Sequence, residues 1–285
     1  MNNYLTYVKA LSSAFNAAVD YELGGLKACP KPEIASDAPK VIMFAPHPDD
    51  ECLIGGLALR LLRESKWKVI NAPVTLGSNK ARKLARLEEL TGAMDYLGIE
   101  NKAIVENGFD KINQAGRASD PENWAYAVEE VAKYLEREQP QLIIFPHELD
   151  WNSTHIGVYY LLTDALKTLP ITFSCRVLLT QFWGEIYNPN VMVELSEEDL
   201  ADLVAATTFH VEEVNRNPYH LRLPAMMFDA VRRGGEVVGG QGGDVPSYNF
   251  ATNYLLKEWK NGELVDCLAN GLFIGQDDDP AIIMD

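Results

Sequence analysis

Short runs of consecutive apolar residues alternate along the chain with longer stretches in which apolar residues recur every three or four positions. Val41 to Ala45 is the first such run, and an unbroken apolar segment of that length marks a strand covered on both faces, as in a parallel sheet. A polar loop over 46–51 follows it. From Cys52 to about Leu62 the chain is rich in Leu and Ala, which predicts a helix whose Gly55 and Gly56 let it lie close to the sheet. Residues 68–75 predict a second strand. Leu84, Leu87, Leu90, Met94 and Leu97 then keep helical spacing up to Gly98, so a helix is expected over 81–97 with glycine as its stop. Trp124, Ala127, Val128, Val131 and Leu135 repeat that period ahead of Pro140, where a helix has to end. Leu142 to Phe145 is the next buried strand, ending in Pro146-His147, and a further helix opens near His155.

Strands alternating with helices through about residue 182 predict an α/β fold, a Rossmann-like, mainly parallel sheet flanked by helices. Ligands of such sheets gather in loops at the carboxyl ends of the strands. Beyond Trp183 the pattern changes. Ser196-x-x-Asp199 is a helix start, and the glycines from Gly234-Gly235 to Gly240-Gln241-Gly242-Gly243 predict a mobile loop. The expectation is one domain over 1–285: an N-terminal helical extension over 1–39, the α/β core over 40–182, and a C-terminal cap over 183–285.

Composition narrows the partners. The 285 residues carry 41 Asp+Glu against 25 Lys+Arg, a formal charge of −16, and that balance repels phosphate backbones and anionic lipid. No nucleic acid and no membrane partner is expected; the acid excess points to a small neutral or cationic substrate. Cys29, Cys52, Cys175 and Cys267 are scattered without a C-x-x-C pair, which suggests reduced thiols rather than a disulfide framework. The N-terminus shows no basic segment followed by an apolar one, so the expected location is the cytoplasm. Whether the chain forms a homo-oligomer is left open.

Histidine is scarce, five residues in all, yet His47, His147 and His155 fall in two short segments. The first, Pro46-His47-Pro48-Asp49-Asp50-Glu51, puts one imidazole and three carboxylates at the end of a buried strand. An Asp-Asp pair in a loop is often no more than a helix cap. Three adjacent acids, however, repel one another unless a cation or hydrogen bonds compensate, and a divalent metal does so directly. A catalytic zinc takes three protein ligands and keeps one position open. Two ligands from this loop and His155 from the second, Pro146 to His155, meet that count and leave Asp49 free to take a proton from water. His210 and His220 are expected as packed or exposed residues, and Asp277-Asp278-Asp279 as a solvated tail. No G-x-S-x-G elbow, P-loop or G-x-G-x-x-G fingerprint is present.

These motifs resemble those of the LmbE-like/PIG-L superfamily of zinc-dependent de-N-acetylases, whose hallmark is a strand ending in A-H-P-D-D-E. Pro46 here stands where Ala is common. The resemblance implies zinc, or another divalent metal, on His47, Asp50 and His155, with Asp49 as general base. Arg86, in Arg86-x-x-Glu89-Leu90 followed by Leu97-Gly98, and Asp110, in Gly108-Phe109-Asp110, are implied as sugar contacts; as residues alone, Arg86 could pair with Glu89 on its helix and Asp110 could be a turn former. The family's second motif, H-P-D-H, reads Asn152-Ser153-Thr154-His155 here. His155 keeps the ligand position, while Asn152 can donate to an oxyanion but cannot deliver a proton. His147, reaching in from the other end of that loop, or Asp49 itself is then left to supply one. The implied reaction is removal of an acetyl group from an N-acetylglucosamine-type sugar or its conjugate. The alternatives are a catalytically degenerate sugar-binding protein and an amidase acting on a larger acyl group.

Overall fold

A computed structural model describes residues 2–285, in the order α1 (Tyr4–Ala18), β1 (Lys40–Met43), α2 (Asp50–Ile54), α3 (Gly56–Arg63), β2 (Lys68–Asn71), α4 (Lys83–Leu97), β3 (Glu100–Asn101), α5 (Gln114–Ser119), α6 (Pro121–Glu138), β4 (Leu142–Pro146), α7 (Ser153–Thr168), β5 (Cys175–Thr180), β6 (Val191–Leu195), α8 (Glu197–Thr207), α9 (Val211–Arg216), α10 (Leu223–Arg233), β7 (Phe250–Lys260), β8 (Glu263–Asp266) and β9 (Leu272–Ile274). The sheet order is β3-β2-β1-β4-β5-β7-β6-β9, with β8 paired to β7. The pairs β1 with β2, β2 with β3, β1 with β4 and β4 with β5 are all parallel, as expected for an α/β core.

The apolar run that predicted β1 serves two cores at once. Val41 and Met43 join a cluster with Leu57, Leu61 and Leu203, while Ile42 and Phe44 join another with Val131, Leu135 and Leu162. Alternate residues of one strand therefore pack helices on both faces, which is why the run has no polar partner. Gly56 fulfils its expected role: a Cβ there would come within 3.0 Å of Leu195 and 3.2 Å of Thr252, on β6 and β7.

Several elements differ from expectation, each for a physical reason. The helix expected from Cys52 to Leu62 is two, α2 and α3, separated at Gly55, and α2 begins at Asp50, so Asp50 and Glu51 occupy its opening turn, where the helix dipole favours acids. Regular pairing of β2 ends at Asn71, because Pro73 has no N–H to donate. The chain nonetheless stays beside the first loop: the N–H groups of Ala72 and Val74 donate to Met43 and Ala45 carbonyls at 2.8 and 2.9 Å. The predicted mobile glycine stretch is in part helical, since Gly234–Val238 continues α10 as a π-helical turn. The C-terminal segment is more than a cap, because β6, β7, β8 and β9 extend the sheet itself, with β7 antiparallel to both β5 and β6. The acidic tail is also pinned. The buried Arg60 guanidinium donates to the carbonyls of Glu194, Gly275 and Asp278 at 3.0 Å each, and Asp279 caps the final helical turn. No helix among the described residues is long and apolar enough to cross a membrane.

Candidate active site

The sheet order turns at β1, whose neighbours are β2 and β4, so the loops leaving β1 and β4 open a crevice at their carboxyl ends. Register pairs Met43 with Ile144, which brings the two strand ends level. His47 lies in the loop after β1, Asp50 opens α2, and His155 sits in the first turn of α7. Asp50 Oδ2 is their meeting point, 3.2 Å from His47 Nδ1 and 3.2 Å from His155 Nε2, while also accepting the His47 backbone N–H at 2.8 Å. The ligand-type atoms of the three residues all lie within 4.8 Å of one another.

Both ring nitrogens of buried His155 lack a hydrogen-bond partner, an uncommon condition for a buried imidazole. Two imidazoles and a carboxylate are the donor types that hold zinc or a similar divalent metal, so the residues fit such an ion. Asp150 lies behind the triad, its Oδ1 3.5 Å from His155 Nδ1. A carboxylate in that position orients a metal-ligating imidazole. Asp150 is itself held by the N–H groups of Asn152 at 2.8 Å and Gly184 at 3.3 Å. Burial alone would disfavour the charge of Asp50, but His155 and His47 hold its carboxyl well below the usual range. Burial likewise opposes a charged His155, yet Asp50 and Asp150 outweigh it and raise the imidazole to about 10.

Asp49 stands next to this triad in an unusual backbone conformation, φ 116°, which costs on the order of 1–3 kcal/mol for a residue with a side chain. It makes no side-chain cap to α2, which sets aside the simple helix-cap reading. Its N–H donates to Glu51 Oε2 at 2.9 Å, and its carboxylate accepts the hydroxyl of Tyr219. Burial, and next the neighbouring charge of Asp50, raise the Asp49 carboxyl to about 7. Glu51 is in turn gripped from below: His210 Nε2 lies 2.9 Å from its Oε1, and both side chains are fully buried. Glu51, Cys52 and His210 are a second close group of ligand-type atoms, but His210 Nε2 and the Cys52 thiol already serve Glu51. The group is a clamp on the Asp49 turn.

Asp49, Asp50 and His47 line a cavity of about 460 Å³ together with Arg86, Asn152 and Tyr219. Asn152 caps α7, its side-chain oxygen accepting the Thr154 N–H at 2.8 Å, so its amide N–H groups are the donors left for a ligand. Arg86 does not pair with Glu89, which is taken by Arg82 at 3.4 Å. Instead Arg86 donates to the Pro48 carbonyl at 2.8 Å and lies 3.9 Å from both Asp49 and Glu213.

Two expected site residues stand elsewhere. His147 is buried outside the cavity lining, with Nε2 2.9 Å from the Gly184 carbonyl and Nδ1 accepting the Leu149 N–H; with both nitrogens engaged, it does not reach in. Asp110 pairs with Lys83 at 2.7 Å on the surface, and its carbonyl accepts from Asn123, so it too lies outside the cavity lining. Tyr219, Glu213, Asp150 and the His210–Glu51 pair were not foreseen. Asp150 had a local signal, an acid two residues before the Asn152 helix cap. Glu51 belongs to the first motif, but His210, Glu213 and Tyr219 come from a C-terminal segment with no chemical motif.

Fold and site together define a Rossmann-like α/β protein with a metal-type triad of two histidines and an aspartate at the turn of its strand order. Residues 42–166, which supply the whole triad, match the PIG-L family model, described as GlcNAc-PI de-N-acetylase. Comparison with curated protein sequences gives no match. Among solved structures, the chain resembles a conserved protein from Thermus thermophilus, with 19% identity and TM-score 0.58 over 76% of this chain and 94% of that one. It also resembles N,N'-diacetylchitobiose deacetylase from Pyrococcus horikoshii, with 15% identity and TM-score 0.53 over 88% and 92%. A third likeness is to GalB, the 4-carboxy-2-hydroxymuconate hydratase of Pseudomonas putida, with 15% identity and TM-score 0.54 over 76% and 95%. At such identities the likeness concerns the fold, and the fold carries more than one reaction.

Proposed function

We propose that this protein is a metal-dependent hydrolase that removes an acetyl group from an N-acetylated amino sugar of the N-acetylglucosamine type, or from its conjugate. One observation carries the reading: a buried carboxylate with no cap to make, Asp49, stands beside the His47, Asp50 and His155 triad in a cavity wide enough for a sugar. The PIG-L match over 42–166 favours amide hydrolysis over hydration, and the deacetylase among the structural neighbours agrees with it.

His47, Asp50 and His155 would hold a divalent metal, zinc by donor type, which supplies Lewis acidity to the amide carbonyl when bound. Asp49 takes the proton of the attacking water. It is suited to that role by its place in the cavity and by a proton affinity near neutrality. Tyr219 keeps its own proton, because burial and the adjacent Asp49 charge push the phenol far up. It therefore serves as a donor that aims Asp49. The Asn152 amide offers a hydrogen bond to the oxygen that gains charge. With His147 turned to backbone and Asn152 unable to ionise, Asp49 is the group placed to return the proton to the leaving amine.

Acetate release from a panel of N-acetylhexosamines and their conjugates, with metal content measured in parallel, tests the reading. Wild type is expected to release acetate, and Asp49→Asn to keep its metal while losing about 10²–10⁴-fold in turnover. Full activity in Asp49→Asn removes it as base. A metal-loaded wild type that releases no acetate from any of the panel leaves the degenerate sugar-binding reading.

A further inference from the structure

The cavity lining is of two kinds. Arg86, Glu213 and Arg216 make part of it ionic, while Trp151, Phe182 and Trp183 make part of it aromatic. The aromatic part forms an unbroken line of ring contacts running outward from the triad. Phe182 stacks on His155 at 5.4 Å between centroids, Trp183 meets Phe182 edge-on at 4.8 Å, and Trp151 meets Trp183 at 6.4 Å. The outer two rings are open to solvent, Trp151 80% exposed and Trp183 46%. Two large apolar rings side by side at the mouth of a polar cavity mark a ligand surface.

This ledge is built rather than incidental. Trp151 follows β4 and Trp183 follows β5, and their loops are fastened at Gly184. The Gly184 carbonyl lies 2.9 Å from His147 Nε2, and its N–H donates to Asp150 Oδ2 at 3.3 Å. A Cβ at Gly184 would come within 2.8 Å of the Asp150 Cα and the Leu149 carbonyl, so only glycine lets the loops approach so closely. His147 thus acts in the scaffold of the ledge. Asp150 serves twice, behind His155 and in this fastening.

The geometry points to a binding subsite in which the corner made by Trp151 and Trp183, whose planes meet at 67°, receives a second ring of the substrate beyond the N-acetylated one: a ring with an apolar face, either another sugar or an aromatic aglycone. Stacking on an indole face needs no charge. The ionic part of the lining is left for hydroxyls. The proposal rests on the deacetylase reading for the position of the first ring, and it makes the substrate a conjugate rather than a free monosaccharide.

The test compares wild type, Trp151→Ala, Trp183→Ala and Trp151→Phe in the metal-loaded protein. The substrates are N-acetylglucosamine, N,N'-diacetylchitobiose and an aryl N-acetylglucosaminide. The quantity read is the kcat/KM of each two-ring compound relative to the one-ring compound, with binding of the same three ligands followed by calorimetry. Each alanine variant is expected to lower that ratio about tenfold through KM, and Trp151→Phe to restore most of it. The two-ring compound that shows the loss tells which source of ring is bound. A ratio unchanged by both alanine variants, or wild type that favours no two-ring compound, overturns the proposal. If no compound is turned over, the deacetylase reading fails by itself, and calorimetry decides the subsite. Tighter two-ring binding that weakens in Trp151→Ala upholds it, and equal binding of all three ligands rejects it.

Discussion

Replacing His210 by alanine is expected to destabilise the fold by about 3–5 kcal/mol, the cost of leaving one member of a buried ion pair without its partner. His210 Nε2 lies 2.9 Å from Glu51 Oε1, and neither side chain is exposed. The remaining contacts of Glu51, the Asp49 N–H at 2.9 Å and the Cys52 thiol at 3.4 Å, carry no countercharge. Against a usual domain stability of roughly 5–15 kcal/mol, such a loss would be plain in urea unfolding followed by circular dichroism. His210→Gln keeps an N–H donor without the charge and should cost less, about 1–3 kcal/mol. The pH dependence has a definite sign. Burial works against a charged His210, but Glu51 more than offsets it, so the folded imidazole titrates above its unfolded value. The stability it contributes is then full below an unfolded value of about 6.5 and is lost as pH rises through the raised folded value. The gap between wild type and His210→Gln should be widest near pH 6 and should narrow in alkaline solution. A loss under about 1 kcal/mol for the alanine variant, or a gap that widens with pH, would refute this account of the pair. Because Glu51 also holds the Asp49 N–H, the folded fraction of His210→Ala should turn over more slowly.

Three further expectations use other parts of the molecule. Tyr219→Phe removes the hydroxyl that favours ionised Asp49, so the Asp49 carboxyl rises further and the acid limb of the kcat/KM profile should move to higher pH, with about a tenfold loss at neutral pH; an unmoved limb removes Tyr219 from the base's surroundings. His155→Ala should lower the metal content read by atomic absorption, and in wild type the metal should be released as the solution is acidified, since protons compete for the two imidazoles; normal occupancy in the variant takes His155 out of the ligand set. Arg60→Ala strips a buried guanidinium from four backbone carbonyls, those of Glu194, Ile274, Gly275 and Asp278, and the tail over 275–285 should lose hydrogen-exchange protection while the triad keeps its metal. Unchanged protection would mean that the tail is held by other contacts.

What the sequence determined on its own was local. An apolar run covered on two faces, the spacing of Leu84 through Leu97 ahead of Gly98, and an acid-rich loop at a strand end each depend on residues a few positions apart, and each stands in the structure much as read. The triad itself was legible because two short motifs follow strands β1 and β4, which a parallel sheet sets side by side. The tertiary structure alone decided which side chains complete that site. His210 reaches Glu51 across 159 positions and Tyr219 reaches Asp49 across 170, and nothing in the local pattern encodes such meetings. The same holds for the residues it withdrew. His147 and Asp110 stand in suitable segments, yet backbone groups claimed one and a lysine the other. A buried or paired polar group takes the partner that packing brings within about 3 Å, whatever its neighbours along the chain suggest.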